Sequence, residues 1–200
     1  FDLGDRVVSE LARGKCGECD MCKSGHYEFC RNKQPQGWKS PGVYSEYTVS
    51  QYDILHKIPR DIEFNEAALT EPIAICVYGC LERGNIKPGD SVVIFGMGSI
   101  GLLSLIVLLD AGVHDIICVT PTRKNMKRFS LTHEIAPDRI ITPQDNLQNS
   151  LKKLTGRTDA DCVIECSGSP QAIEQGLDIL RKDGKFIALG ISSDNEIPFH

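Results

Sequence analysis

The 200-residue chain is long enough to bury a sizeable core, and its 41% hydrophobic and 24% charged residues are typical of a folded globular protein. Its net charge of -5 provides no basic stripe for phosphates, which excludes a general nucleic-acid binder. We expect no membrane role, because the longest apolar run, Ile100 to Leu109, contains Ser104 and is too short to span a bilayer.

The amino-terminal region predicts a metal site. Its cysteines follow the spacing C-x2-C-x2-C-x7-C at Cys16, Cys19, Cys22 and Cys30. Zinc favours four thiolates in closed structural sites, and nearby Lys15, Lys23 and Arg31 would offset their negative charge. A disulfide pair and an iron–sulfur cluster are the alternatives. Nine cysteines, an odd number, without a signal peptide pattern indicate a reducing compartment, so we expect a cytoplasmic protein.

Short strands are predicted around Val7 and Val8, over Val43 to Val49 and over Ile54 to Ile58, which makes the first 60 residues β-rich. A helix is expected to begin near Asn65 as N-cap and to continue, after an interruption at Glu71-Pro72, from Ile73 to Glu82. Glu71 alone is best explained as an exposed carboxylate favoured by the helix dipole.

The stretch from Val92 to Gly101 reads VVIFGMGSIG, an apolar strand followed by a glycine-rich turn that opens a helix. Gly96 would permit the tight turn, Gly98 the close approach of a pyrophosphate, and Gly101 the packing of helix on strand. The free N–H groups at the start of the helix, near Ser99 and Ile100, would bind the phosphates. The alternative is a glycine-rich turn without a ligand.

From Ser91 onward, strands and helices alternate, which predicts five strands of a parallel, doubly wound sheet with the first strand in the centre. The strands are Val92 to Phe95, Ile116 to Val119, Arg139 to Ile141, Cys162 to Glu165 and Lys185 to Leu189. The helices are Ile100 to Ala111, Lys124 to Thr132, Gln144 to Leu154 and Gln171 to Leu180.

The end of the second strand of the sheet bears on the choice of cofactor. NAD-binding proteins usually place Asp or Glu there, whereas this chain has Thr120, followed by Arg123 and Lys124. Hydroxyls and cations would bind a 2'-phosphate that a carboxylate would repel, so the sequence favours NADP over NAD. The alternative is that both cations are ordinary solvated charges.

These motifs, with Glu165-Cys166-Ser167-Gly168, resemble in order and spacing the zinc-dependent medium-chain alcohol and polyol dehydrogenases. The stretch TEPIAICVYGC resembles the sorbitol and threonine dehydrogenase branch. The resemblance implies an α/β fold: a doubly wound parallel Rossmann sheet plus part of a β-rich, GroES-like catalytic domain with a structural zinc lobe. It divides the chain into residues 1–72 and 73–200.

The resemblance also implies roles for particular residues. Glu71 would be a ligand of a separate catalytic zinc ion, either direct or in its second shell, and Thr120 to Lys124 would contact the adenosine ribose. The nicotinamide side would be lined by Cys166, Ser167, Leu189, Gly190 and Ile191. The substrate would be an alcohol or polyol, and the protein would be a homodimer or homotetramer.

Two features of that family have no counterpart here: its first catalytic-zinc cysteine and its Gly-His-Glu motif. Thr132-His133-Glu134 lies in the nucleotide-binding half and does not replace them. We therefore expect this chain to be the middle of such an enzyme. The rival hypotheses are a non-catalytic NADPH-binding or zinc-thiolate redox-sensing module and a zinc-free quinone reductase.

Overall fold

The chain folds as two units, Phe1–Glu71 and Pro72–His200. A computed structural model describes residues 1–120, 126–136 and 139–192. In the part of the chain that it describes, no helix has both the length and the apolar character needed to cross a membrane.

The first unit contains a small antiparallel sheet. Strand β1 (Val7–Ser9) pairs with β2 (Leu55–Lys57), with Val8 opposite His56. Between the two strands, the chain forms the short helix α1 (Asp20–Lys23) inside the cysteine-rich segment. Helix α2 (Phe64–Ala67) follows the sheet. The strands predicted around Val7 and within Ile54 to Ile58 are confirmed.

The strand predicted from Val43 to Val49 is wrong. The segment has no regular secondary structure, and the Tyr44 and Tyr47 side chains are fully or almost fully exposed. Ser45 bonds locally instead, with its N–H donating to the Val43 carbonyl oxygen at 2.9 Å and its Oγ to the Tyr47 carbonyl oxygen at 2.7 Å. An alternating pattern forms a strand only where a partner strand accepts its backbone hydrogen bonds.

The predicted N-cap at Asn65 is also wrong. Helix α2 begins at Phe64 with Glu63 as its N-cap, two residues before Asn65, and the Glu63 N–H donates to Oε2 of Glu66 at 2.8 Å. This reciprocal arrangement resembles a capping box in which Glu takes the place of Ser or Thr. Helix α3 (Thr70–Val77) then continues into a π-helical turn over Tyr78–Arg83.

The second unit is built on a parallel sheet, and the predicted doubly wound topology is confirmed. Among the described residues, its strands lie in the order β5-β4-β3-β6-β7, so that the first strand in sequence is central. The strands are β3 (Val92–Phe95), β4 (Ile116–Val119), β5 (Ile140–Ile141), β6 (Ala160–Glu165) and β7 (Leu180–Ala188). The helices are α4 (Ser99–Asp110), α5 (Met126–Ile135), α6 (Leu147–Thr155) and α7 (Pro170–Ile179).

Alternate residues of the central strand enter two different cores. Val92 and Ile94 pack with Leu105 and Leu108 of α4 on one face of the sheet. On the other face, the core contains Val93 and Phe95 of β3 and residues of α6 and α7, among them Leu151 and Ile179. Both faces of the sheet are therefore covered, which explains why β3 and β4 are apolar throughout rather than alternating.

Strand β7 is longer than its sequence indicates, because it begins directly after α7 rather than at Lys185. Its first half contains Arg181, Lys182 and Asp183, which are exposed. Because these residues are charged, this half lacks the apolar pattern that predicts a strand. The pairing with β6 also shifts register between Ala160 and Cys162, and Asp183 has a φ of 63°.

Candidate functional site

The glycine turn joins β3 to α4 at the carboxyl end of the central strand. Gly96 has a φ of 88°, a backbone conformation that residues with a Cβ atom rarely adopt. Its N–H donates to the Val119 carbonyl oxygen at 2.9 Å, which keeps the turn in line with the neighbouring strand. Helix α4 starts at Ser99, with Gly98 as its N-cap. The N–H groups of its first turn have no carbonyl partner within the helix and point away from its amino end, beside the glycine turn.

Gly98 and Gly101 differ in the space around them. A Cβ atom added to Gly101 would lie 2.1 Å from the Gly96 carbonyl oxygen, so the helix and the turn pack backbone against backbone. Among the described residues, a Cβ atom added to Gly98 meets nothing closer than Nη1 of Arg128, at 3.9 Å. In this part of the chain, Gly98 thus has free space beside it and a cation nearby. Arg128 was not predicted from the sequence, because nothing in its spacing places it beside this turn.

A second turn at this edge of the sheet follows β6 and begins with Cys166. The Cys166 N–H donates to the Phe95 carbonyl oxygen at 2.8 Å. A Cβ atom on Gly96 would come within 2.7 Å of the Ser167 Cβ, so the two turns touch. Burial raises the pKa of the Cys166 thiol to about 12, which disfavours a role for Cys166 as a thiolate at neutral pH.

The third segment at this edge is Leu189-Gly190-Ile191, which follows β7. The N–H groups of Leu189 and Gly190 each donate to the Glu165 carbonyl oxygen at 2.8 Å. A Cβ atom on Gly168 would lie 2.2 Å from the Ile191 carbonyl oxygen. The residues that the resemblance assigned to one side of the cofactor therefore lie together in the structure.

The residues assigned to the adenosine ribose lie at the end of β4. Thr120 is buried, and its N–H donates to the Ile141 carbonyl oxygen at 3.1 Å. Arg123 and Lys124 lie outside the described residues. Their predicted role remains a prediction.

The cysteine quartet lies in the first unit. The Sγ atoms of Cys16, Cys19, Cys22 and Cys30 all lie within 4.8 Å of one another. Two of the separations are 3.6 Å (Cys30 to Cys16) and 3.9 Å (Cys16 to Cys22). A zinc–sulfur bond of about 2.3 Å places the sulfurs of a tetrahedron about 3.8 Å apart, so the arrangement fits one zinc ion. All four cysteines are free, which contradicts the disulfide alternative.

Backbone groups turn toward these sulfurs. N–H groups of Glu18 and Cys19 lower the pKa of the Cys16 thiol to about 6, and the Cys16 N–H donates to the Cys30 Sγ at 3.5 Å. Burial raises the pKa of the Cys22 thiol to about 12, so this thiol keeps its proton in the absence of a metal. A bound divalent cation would replace that proton. Lys15 stands next to the quartet, with its Nζ 3.9 Å from the centre of the Tyr27 ring.

Glu71 was also predicted to bear on catalysis. Glu71 is exposed in the first turn of α3, where a carboxylate interacts favourably with the helix dipole.

Two family models match different parts of the chain. The family model described as "Zinc-binding dehydrogenase" matches residues 99–200, more than half of the chain. The chain belongs to the zinc-binding dehydrogenase family. Residues 1–60 match the model of the "Alcohol dehydrogenase GroES-like domain", so the β-rich region and the cysteine quartet lie in a GroES-like segment.

Among curated proteins, the sorbitol dehydrogenase of Halalkalibacterium halodurans is 34% identical over 201 residues, which cover 100% of this chain and 58% of that protein. The L-threonine 3-dehydrogenase of Pyrococcus furiosus is 33% identical over 192 residues, covering 96% of this chain and 53% of that protein. This zinc-binding dehydrogenase chain therefore spans about half the length of the curated relatives it matches.

Solved structures share the fold. A Sinorhizobium meliloti protein bound to NADP matches with a TM-score of 0.87 and 25% identity, over 100% of this chain and 58% of that one. The 2R,3R-butanediol dehydrogenase of Bacillus subtilis matches with a TM-score of 0.84 and 27% identity, over 100% and 55%. The Rossmann sheet and the segments around it are thus common to these proteins and to this zinc-binding dehydrogenase.

Proposed function

We propose that this chain is the cofactor-binding and structural-metal part of a zinc-dependent oxidoreductase. The reaction would transfer hydride between NAD(P) and an alcohol or polyol, or the corresponding ketone or aldehyde. The observation that carries the proposal is the glycine turn, which lies where the strand order reverses, beside the amino end of α4. Within the part of the chain that the structure describes, the space next to Gly98 is open. Family membership and the sorbitol dehydrogenase relative support the reaction class.

The glycine turn would bind the pyrophosphate through backbone N–H groups at the start of α4, in particular those of Ser99 and Ile100. The position of the Arg128 guanidinium near Gly98 supports a contact with the same phosphates. No carboxylate ends β4, where NAD-dependent proteins place one, which supports our preference for NADP. In that case, Thr120, Arg123 and Lys124 would contact the 2'-phosphate.

The quartet Cys16, Cys19, Cys22 and Cys30 would hold a structural zinc ion. Four protein sulfurs complete a tetrahedron and leave no position for a substrate, so this metal would stabilise the lobe rather than react. Its loss would remove the cross-link within an otherwise small segment that contains only short helical turns.

Catalysis would require a second metal site, for which this chain offers Glu71. We propose that Glu71 is a direct ligand of that metal or acts one hydrogen bond away from it. When bound, a catalytic zinc ion supplies Lewis acidity to the substrate oxygen, and the nicotinamide accepts the hydride. The contribution of the residues described here is to bind and orient the dinucleotide.

The experiment uses the full-length protein. We expect two zinc ions per chain and oxidation of a panel of polyols with NADP as the better cofactor, measured from absorbance at the nicotinamide band. One zinc ion with dinucleotide binding but no turnover would support the redox-sensing module instead. No zinc, with reduction of quinones, would support the zinc-free reductase. We expect a homodimer or homotetramer, to be checked by light scattering.

A further inference from the structure

Glu165 is a buried carboxylate at the carboxyl end of β6, with 1% of its surface exposed. Its Oε1 accepts hydrogen bonds from the Ser167 N–H at 2.7 Å, the Ser167 Oγ at 2.5 Å and the Gly168 N–H at 2.9 Å. A buried carboxylate is costly unless such donors surround it, so these bonds fix both the side chain and the turn that donates them.

The same residue also contacts the segment that follows β7. The backbone carbonyl of Glu165 accepts from Leu189 and Gly190, and a Cβ atom on Gly190 would lie 2.5 Å from the Glu165 Oε2. The side chain of Glu165 thus binds the turn after β6, and its backbone carbonyl binds the segment after β7.

The two turns next to the central strand differ in how their donors are used. The N–H groups at the start of α4 face a space at Gly98 that no residue of the described ranges fills, as an anion-binding turn requires. The turn before α7 has its donors filled from within the protein by Glu165. The N–H groups of Ser167 and Gly168 are therefore already bonded and do not serve an external phosphate.

This arrangement bears on the second half of a dinucleotide. A dinucleotide bound at the glycine turn extends its two halves to opposite sides of the switch point, one over β4 and the other over β6 and β7. Ser167 touches Gly96, so the turn after β6 borders the pyrophosphate position directly on that second side.

We propose that Glu165 is a positioning residue for the nicotinamide half of the cofactor, a proposal that rests on the function proposed above. It holds Cys166, Ser167 and Gly168 against Gly190, so that the wall beside the nicotinamide is rigid before the cofactor arrives. It does not touch the cofactor itself. Its effect is on the orientation of the ring and therefore on hydride transfer.

The test compares Glu165→Gln and Glu165→Ala with the matched control Glu174→Gln, an exposed glutamate on α7. Gln retains one acceptor but loses the charge, so we expect kcat to fall about fivefold, and about thirtyfold for Ala. Inhibition by ADP-ribose, which lacks the nicotinamide ring but retains both riboses and the pyrophosphate, should stay within about twofold of wild type. The control should match wild type in both measurements.

Chemical rescue provides a second readout. Glu165→Ala removes a fragment the size of acetate and leaves the N–H groups of Ser167 and Gly168 without their acceptor. Added acetate should restore part of the kcat of Glu165→Ala and have no such effect on wild type or on Glu174→Gln.

Equal losses of ADP-ribose and NADP binding in both Glu165 variants, together with a lowered melting temperature and no acetate rescue, would overturn the proposal in favour of a purely structural role. Unchanged kcat in both variants would also overturn it. Failure of the proposed function is visible separately, because wild-type protein would then oxidise no alcohol or polyol with NAD(P).

Discussion

Gly101 packs directly on Gly96, since a Cβ atom at position 101 would lie 2.1 Å from the Gly96 carbonyl oxygen. The neighbouring Gly98 has no such contact with any described residue, although all three glycines belong to one motif. The motif therefore combines a residue required by packing with a residue that leaves room for a ligand, and the two roles can be separated by substitution.

Gly101→Ala should destabilise the second unit, because backbone atoms cannot move aside for the new methyl group. We expect a loss of about 3 kcal/mol in unfolding free energy, read as a lowered melting temperature. Gly98→Ala should cost less than about 1 kcal/mol, since its φ of -82° suits any residue, yet raise the KM for NADP about tenfold by filling the phosphate position. A Gly98→Ala protein with normal cofactor KM would contradict the pyrophosphate assignment.

The cofactor preference can be tested by charge removal. Replacing Arg123 and Lys124 by Ala should raise the KM for NADPH far more than that for NADH, by about tenfold or more, because only NADPH carries the 2'-phosphate. Arg128→Ala should weaken both cofactors alike if Arg128 contacts the shared pyrophosphate. Lys127→Ala, an exposed neighbour, is the control. Equal effects of the Arg123 and Lys124 replacements on both cofactors would reject the preference for NADP.

Removal of one cysteine of the quartet should remove one metal ion. For Cys30→Ser we expect the zinc content of the full-length protein to fall by one per chain, with a melting temperature lowered by several degrees, because the tetrahedron is incomplete. Cys76→Ser is the matched control: Cys76 is also buried, but it donates to the Ile100 carbonyl oxygen at 3.5 Å, which a serine can replace. Unchanged zinc content in Cys30→Ser would show that the quartet does not bind the metal.

Asp161 gives a pH-dependent prediction at the opposite edge of the sheet. Desolvation would raise the pKa of its carboxyl, but hydrogen bonds from the Ser91 N–H at 2.8 Å and the Arg181 Nε at 2.6 Å outweigh it, so the pKa lies below its usual value. Because this carboxyl has a lower pKa in the folded protein than in the unfolded chain, its ionised form stabilises the fold at pH values above the unfolded-state pKa. This stability is lost as the pH falls through the folded-state pKa.

Asp161→Asn should therefore lower the melting temperature by about 3 °C at pH 7, and the difference from wild type should vanish once the pH falls below the pKa of this carboxyl in the folded protein. The kcat at pH 7 should not change, since Asp161 lies at the amino end of β6, away from the glycine turn. Asp110→Asn, an exposed aspartate that ends α4, should show little dependence on pH. A difference that persists at low pH would mean that the charge of Asp161 is not what stabilises the sheet.

The sequence by itself determined the order of strands and helices in the second unit, the central place of β3 and the spacing of the cysteines. These features are predicted by continuous apolar runs, by three glycines and by the spacing of the metal ligands. Each of these patterns extends over only a few residues of the sequence. Only the tertiary structure decided that Val43 to Val49 is irregular, that Arg128 stands near Gly98 and that Glu165 joins two segments. Each of these depends on residues distant in sequence, because a strand needs a partner and a buried charge needs donors that only the folded chain brings to it.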